Sequence, residues 1–244
     1  MNHYLLTQNG ISLVETLLGT ALTLLILGFA LDFGSSCLTR FSQMEHQIEI
    51  QQQTRIGIEM LMHEIKKAGY GLPSGWPAFL VIGPSFVSFQ SNLDEIQTRL
   101  TSDAFPGSTV IFVESGKGFR AGKSILICTG GVCEEGILNN HGSIFSLTLK
   151  NSLNHFFPSG SSVNVLNRVS YYLNQKNQLL RKVDQGGTNE VANQVQTLKM
   201  KYQDHKGNPT WNPLAAKLVR ITLETQSQKG DQRSYSSSIG IRNQ

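Results

Sequence analysis

Residues 10–33 read GISLVETLLGTALTLLILGFALDF, and this stretch decides how the N-terminal part of the chain folds. The segment from Ile11 to Phe33 has 23 residues, and a helix rising about 1.5 Å per residue would extend it over about 35 Å. That length is enough to cross a hydrocarbon core about 30 Å thick. Glu15 lies near the start of the segment, and a carboxylate inside a membrane is costly unless it has a partner. The stretch therefore predicts one membrane-spanning helix with a functional acid.

The rest of the chain has the composition of one compact soluble domain. The formal net charge is +4, and the lysines and arginines are scattered without a basic run of five or more. This pattern is typical of a mixed, solvated surface and argues against a nucleic-acid groove. The Arg181-Lys182 pair leaves weak polyanion binding open as an alternative.

The chain has three cysteines, at positions 37, 128 and 133. Cys128 and Cys133 enclose Thr-Gly-Gly-Val, a turn that would bring two strand ends within disulfide distance. An oxidising compartment would favour that bond. The acidic and histidine residues nearby do not form a closed set of metal ligands, so we predict a disulfide and no metal. Cys37 is expected to be a small apolar packing residue.

Two ordinary processing signals fit the N-terminus poorly. A secretory signal has a basic start and an apolar core of about 7–15 residues, whereas residues 1–10 contain no Lys or Arg and the apolar stretch is longer. A lipoprotein signal would be cut before Cys37, but it lacks the expected leucine three positions earlier. Neither signal accounts for Glu15.

A third interpretation comes from resemblance. A short polar leader ending in Gly10, an apolar residue, a glutamate at the fifth position after the glycine and about 20 apolar residues resemble the class III signal of type IV pilins and pseudopilins. The resemblance implies that residues 1–10 are a leader, that prepilin peptidase cuts between Gly10 and Ile11, and that Ile11 is then N-methylated. The leader departs from the family by having Gln8-Asn9 where Lys or Arg is usual, and Ile11 replaces the commoner Phe.

Elementary electrostatics agree with that interpretation. Cleavage would create an ammonium group at Ile11, one helical turn from Glu15. The carboxylate would then pair with the terminus of its own or a neighbouring subunit in an apolar setting. The alternative is that Glu15 reaches the cytoplasmic headgroups, since it lies only about 6 Å along the helix from Ile11.

After Phe33 the pattern becomes amphipathic and predicts that the same helix continues through residues 34–72. Its end is indicated near Ala68 by the following Gly69, Gly71 and Pro73. We expect its apolar stripe to pack on the soluble domain of the chain itself. The stripe recurs at intervals of three, four or seven at Phe41, Met44, Ile48, Arg55, Ile58, Leu61 or Met62, Ile65 and Ala68.

From residue 79 onward the period shortens to two or to short β-branched runs. The sequence therefore predicts an α+β fold, with one long N-terminal helix packed on a mostly antiparallel β-rich head of residues 73–244. The predicted strands are 79–83, 85–90, 108–115, 123–129, 143–149, 161–167, 169–174, 178–183, 196–204, 217–224 and 234–241.

The resemblance extends into the head and is closest to PilW-type minor pilins, with GspJ-type pseudopilins of type II secretion systems as a near rival. Residues from about 74 to 160 have no counterpart in it. The segments that are similar are Ile50–Tyr70, Val169–Leu173, Leu179–Arg181, Val191–Asn193, Val195–Tyr202 and Leu218–Leu223, with Asp204 and Gly207 after the fifth.

Apparent enzyme motifs fail on inspection. His63-Glu64 begins like a zinc-protease helix, but Lys67 stands where the second histidine is required. The glycine-rich segment 116–124 matches phosphate-binding loops only in part, and it leads into a predicted strand instead of a helix. We therefore predict no catalytic residues and no cofactor.

The resemblance implies a minor pilin that helps to prime assembly of a type IV pilus. The expected partners are prepilin peptidase, other minor and major pilins through the N-terminal helix, the inner-membrane assembly platform and, before assembly, membrane lipid. The expected location is the bacterial inner membrane, crossed once with the head outside the cytoplasm, and then the filament, at its tip. A different class of function, a single-pass anchored binding domain that never polymerises, remains an alternative.

Overall fold

A computed structural model describes residues 13–226 and 232–241 of the 244-residue chain. The chain divides into two compact units, one ending at Glu49 and the other beginning at Ile50. A single helix, α1 (Leu13–Lys66), contributes residues to both units. Thirteen strands follow it within the described residues. The predicted α+β class, with one long apolar N-terminal helix and mostly antiparallel sheets, is confirmed.

Helix α1 ends at Lys66, earlier than Ala68 and inside the segment 34–72 that the sequence pattern predicts. Its last amide bonds reach back three residues instead of four, a tightening that is common at helix C-termini. The amide of Gly69 donates a hydrogen bond to the carbonyl of Gln90 in β2, so the chain pairs with the sheet at this point and no longer with the helix. Gly69 has a φ of 81°, which glycine adopts without the strain that a side chain would cause.

The strands pair antiparallel throughout. They are β1 (Phe79–Ile82), β2 (Phe86–Ser91), β3 (Gln97–Arg99), β4 (Val110–Phe112), β5 (Ser124–Thr129), β6 (Val132–Ile137), β7 (Ser146–Thr148), β8 (Ser162–Leu173), β9 (Leu179–Val183), β10 (Thr188–Ala192), β11 (Val195–Gln203), β12 (Leu218–Gln226) and β13 (Gln232–Gly240).

The strand pattern differs from the prediction in two ways. The segments predicted at 161–167 and 169–174 form one strand, β8, because Arg168 between them is simply an exposed position of a continuous strand. Strands β3, β6 and β10 are not predicted, since β3 and β10 contain mostly polar residues and β6 has two adjacent glutamates at its centre. They form by pairing with β8, β5 and β9, respectively.

Strand β8 organises the larger sheet. Its first half pairs with β3 and β5, and its second half pairs with β2 and β9. Strands β1, β6 and β10 extend this sheet beyond β2, β5 and β9. A second sheet has the order β11-β12-β13, and β4 pairs with β7. The 12 residues of β8 therefore connect the two hydrophobic cores of the head.

The first core contains the end of α1 and the β11-β12-β13 sheet, and the second lies among residues 96–165. Of the predicted helix stripe, Ile58, Leu61 and Ile65 are buried in the first core. Phe41 and Ile48, nearer the start of the stripe, are 68% and 54% exposed. Periodicity shows which side of a helix is apolar, but it does not show what covers that side.

Candidate functional site

Large exposed apolar side chains occur along α1 from Leu13 to Ile48, and they are densest before Gly34. Leu13 is 77% exposed and Phe33 is 72% exposed, although large apolar residues usually lie inside folded proteins. Among the described residues, α1 is the one helix long and apolar enough to cross a membrane by length and composition. A helix that is apolar around its circumference needs lipid or other apolar helices around it.

Glu15 lies in the first turn of α1 and is exposed. Within the described part of the chain its carboxylate has no hydrogen-bond or ion-pair partner. The neighbouring hydroxyl of Thr16 donates to the carbonyl of Leu13, 2.9 Å away, and so does not serve the acid. Gly10 and Ile11, the predicted cleavage and methylation site, lie outside the described residues.

The sequence reasoning missed a second acid in the apolar stretch, Asp32, which is exposed one residue before Phe33. It shares one side of the helix with Ser36 and Arg40, and the three polar groups alternate with Phe29, Phe33 and Cys37 around a shallow hollow. The thiol of Cys37 is free and exposed, so it is not a packing residue within this chain. The spacing of three and four residues could have identified this side from the sequence.

A buried ion pair attaches the end of α1 to the larger sheet. Glu64, only 8% exposed, accepts two hydrogen bonds from Arg181 of β9, at 2.9 Å from Nε and 2.6 Å from the terminal nitrogen. It also accepts a 2.6 Å hydrogen bond from the hydroxyl of Tyr171 in β8. This two-point geometry is the strongest form of an arginine-carboxylate contact. We call these three residues the Glu64 clamp.

The electrostatics of the clamp follow from its burial. Burial raises the pKa of Tyr171 far above its usual value, and the adjacent charge of Glu64 adds to that effect. Hydrogen bonding to Glu64 raises the pKa of Arg181. The phenol is therefore a fixed hydrogen-bond donor and the guanidinium a permanent cation. The sequence signal for the clamp was weak, namely an acid on the buried stripe of an amphipathic helix.

A close approach at Gly57 brings the same helix onto β10. A Cβ atom at this position would lie 3.0 Å from the Cβ of Ala192 and 3.2 Å from the carbonyl oxygen of Val191. Such distances are shorter than almost all real contacts. The backbones of the helix and the strand are therefore close at Gly57, and a side chain there would require the strand to shift by a few tenths of an ångström.

The predicted cysteine pair lies at the end of the β5-β6 hairpin. Cys128 and Cys133 face each other in register and are joined by a disulfide. The turn between them has positive φ at both Gly130 and Gly131, 50° and 88°. A two-residue hairpin turn of this type matches the twist of the strands, and glycine satisfies its φ requirement.

Glu134, next to this disulfide, holds the loop that follows β7. Its carboxylate accepts hydrogen bonds of 2.8–3.0 Å from the amides and side chains of Asn154 and His155. Burial raises the pKa of Glu134, but these hydrogen bonds outweigh it and leave the pKa below its usual value. All four bonds stabilise the loop, so the acid is a structural residue.

No protein-family model and no curated protein matches this chain.

The described residues contain no group of three or more His, Cys, Asp or Glu side chains that could hold a metal ion. Glu15 and the cysteine pair belong to different units of the chain. The arrangement offers a large apolar helix surface, a charged residue near its start and a head attached to its end.

Proposed function

We propose that the protein is a structural subunit of a type IV pilin-like filament, a minor pilin most similar to the PilW type. The observation that carries this proposal is the continuity of α1 over 54 residues. The helix is largely exposed in residues 13–48, where its apolar run ends near Phe33, and it forms part of the core of a β-rich head from Ile50 onward. A subunit that packs through its helix needs this continuity, because the packing of the helix against other subunits must also set the position of the head.

The mechanism begins in the membrane. Prepilin peptidase hydrolyses the peptide bond between Gly10 and Ile11 and then transfers a methyl group from a methyl donor to the new amine of Ile11, while α1 is held in lipid. Glu15 then pairs with the ammonium of its own or a neighbouring subunit, and the helix moves from lipid into contact with the helices of other pilins. This transfer lacks a large hydrophobic driving force, so packing and charge pairing set the register.

The location of the head outside the cytoplasm is supported by the disulfide between Cys128 and Cys133, since disulfides persist in oxidising compartments. The proposed partners are other pilins and the inner-membrane assembly platform. The role is structural and not enzymatic.

Intact-mass analysis of protein from native membranes tests the proposal. A mature chain that starts at a methylated Ile11 is expected, whereas a chain that retains residues 1–10 contradicts the proposal. Glu15→Ala should remain membrane-bound but be missing from sheared filaments, because the ammonium loses its counter-charge. Glu45→Ala, at an exposed helix position beyond the apolar stretch, is the matched control and should be incorporated normally.

The same architecture suits a pseudopilin of a type II secretion system. The two assignments differ in the filament that the subunit enters, so copurification with pili or with a secretion pseudopilus distinguishes them.

A second candidate, an anchored binding domain, is favoured by exposed aromatic residues in the head. Phe105 and Phe156 are 59% and 45% exposed with ring centroids 5.4 Å apart, and Trp211 is 60% exposed. A chain retaining Met1 and absent from every filament fraction would support this candidate.

A further inference from the structure

The outer face of the β11-β12-β13 sheet presents two adjacent cations. Lys201 of β11 lies directly opposite Arg220 of β12, and Arg220 lies opposite Ser238 of β13, so the three residues form one row across the sheet. All three are exposed, whereas the neighbouring Tyr202 and Ile221 are buried in the first core. We call these three residues the Lys201 row.

The charges of this row repel each other when no anion is present. Side chains directly opposite in an antiparallel pair have Cβ atoms about 4.5–5.5 Å apart, and like charges at that distance destabilise the sheet. In the part of the chain that the structure describes, neither Lys201 nor Arg220 has an ion-pair partner. An anion bound between them would replace one repulsion by two attractions.

The next lysine of the same strand shows the opposite arrangement. Lys199 also points outward, and its ammonium group donates a 2.9 Å hydrogen bond to the carboxylate of Glu224. That hydrogen bond lowers the pKa of Glu224, so the acid keeps its charge at neutral pH. The face therefore neutralises one lysine and leaves Lys201 beside Arg220, which gives it an excess of two positive charges.

The guanidinium group of Arg220 is oriented by its neighbour in the row. Its Nε donates a 3.1 Å hydrogen bond to the hydroxyl oxygen of Ser238. The two terminal nitrogens have no partner among the described residues, and the ammonium of Lys201 adds further donors beside them. A guanidinium binds a carboxylate through two parallel hydrogen bonds, so this set of donors suits an oxyanion.

Hydroxyl groups surround the cations on this face. The hydroxyl of Thr222 donates a 3.2 Å hydrogen bond to that of Ser236, in the row next to the Lys201 row. Single-stranded nucleic acids are bound by stacking on aromatic side chains, and the cores of protein interfaces are apolar. The outer face of the three strands has no aromatic residue in its described part, which consists of Thr197, Lys199, Lys201, Gln203, Leu218, Arg220, Thr222, Glu224, Ser234, Ser236, Ser238 and Gly240.

We propose that the Lys201 row binds a carboxylate group of an acidic polysaccharide, while the neighbouring hydroxyls of Thr222 and Ser236 bond to hydroxyls of its sugar rings. The positive charge selects the acid, and the uncharged hydroxyls suit a sugar better than a base or an apolar peptide. This binding activity goes beyond filament assembly, and it would serve a head on a filament and a head on a membrane anchor equally.

Binding of polygalacturonate to the full-length protein in a non-ionic detergent tests the inference. Lys201→Gln and Arg220→Gln should each raise the Kd about tenfold, because each removes a charged hydrogen-bond donor. Lys176→Gln is the matched control, since it removes the same charge from an exposed position in the turn between β8 and β9, and it should stay within about twofold of wild type. Equal weakening in this control would overturn the proposal, because it would show general charge attraction. An unchanged urea midpoint confirms that each variant is folded.

Other polymers test the class of ligand. Dextran, which is a neutral polysaccharide, should bind at least tenfold more weakly than polygalacturonate, and equal binding would overturn the role of the cations. Tighter binding of polyglutamate or duplex DNA than of polygalacturonate would overturn the assignment to a polysaccharide. A wild-type chain that binds no polygalacturonate overturns this inference and leaves the filament function standing. A chain that never enters a filament overturns the filament function and leaves this inference standing.

Discussion

Replacing Arg181 with methionine tests whether the Glu64 clamp stabilises the attachment of α1 to the head. The guanidinium makes two hydrogen bonds to Glu64, and the two side chains are 16% and 11% exposed. Methionine removes the charge and the hydrogen bonds while keeping most of the volume. The carboxylate of Glu64 would then be left in the core with the hydroxyl of Tyr171 as its remaining described partner.

The expected loss of stability follows from that isolated carboxylate. Removing one partner of a buried ion pair costs about 3–5 kcal/mol, and the slight exposure of this pair places the value near the lower end, at about 3 kcal/mol. With a urea m-value of about 2 kcal/mol per molar, the unfolding midpoint should fall by about 1.5 M.

Urea unfolding of the full-length protein in detergent provides the assay. Both tryptophans, Trp76 and Trp211, belong to the unit that begins at Ile50, so their fluorescence reports unfolding of the head. Arg55→Met is the matched control, because the Arg55–Glu59 pair is exposed. Its loss should cost no more than about 0.5 kcal/mol.

A double variant separates the ion pair from simple packing. Glu64→Leu combined with Arg181→Met removes both charges and should recover a large part of the lost stability, since apolar replacements of a buried pair are often neutral or stabilising. A loss below about 1 kcal/mol for Arg181→Met, or a double variant as unstable as the single one, would refute the reasoning.

Three further outcomes are expected. Gly57→Val should lower the free energy of unfolding by about 1–3 kcal/mol in the same urea assay, because the Cβ atom of the new side chain would lie only 3.0 Å from the Cβ atom of Ala192. Cys128→Ser with Cys133→Ser should lower it by about 2 kcal/mol, the loop-closure value for so short a loop, and reductant should do the same to the wild-type protein. Burial raises the pKa of Tyr202, so the folded protein resists its ionisation. Stability should be unaffected below about pH 10 and fall above it, where the unfolded chain ionises first, and Tyr202→Phe should make that fall shallower.

Each of these outcomes has a control in the same chain. Gly34→Val adds a side chain where the structure has open space and should leave head stability unchanged. Cys37→Ser removes a free thiol and should not alter the response to reductant. Tyr235→Phe changes a half-exposed tyrosine and should leave the alkaline slope as it is. Equal effects in variant and control would contradict the corresponding prediction.

Local sequence patterns predicted much of the fold. The apolar run of α1, the change of period after residue 79 and the glycine turn between Cys128 and Cys133 each depend on neighbouring residues. The pattern failed for β3, β6 and β10, because these strands lack a continuous alternation of apolar residues and form by pairing with neighbouring strands.

Some candidate functional residues were identified by a local motif, and others became apparent only in the structure. Gly10, Ile11 and Glu15 were identified by a motif of contiguous residues, and their proposed roles in cleavage, methylation and charge pairing stay predictions. Lys201 and Arg220 became informative through the register of β11 and β12, which makes them neighbours.

The sequence by itself determined that this protein has one long apolar helix followed by a β-rich head, since both follow from the spacing of apolar residues along a short segment. The tertiary structure alone decided how that helix is held. Glu64 and Arg181 are 117 positions apart, and Tyr171 lies 107 positions from Glu64. Their meeting depends on the register between β8 and β9 and on the closeness that Gly57 allows at β10. A periodic pattern carries no information about contacts at such separations, because they are set by how whole strands pair and pack.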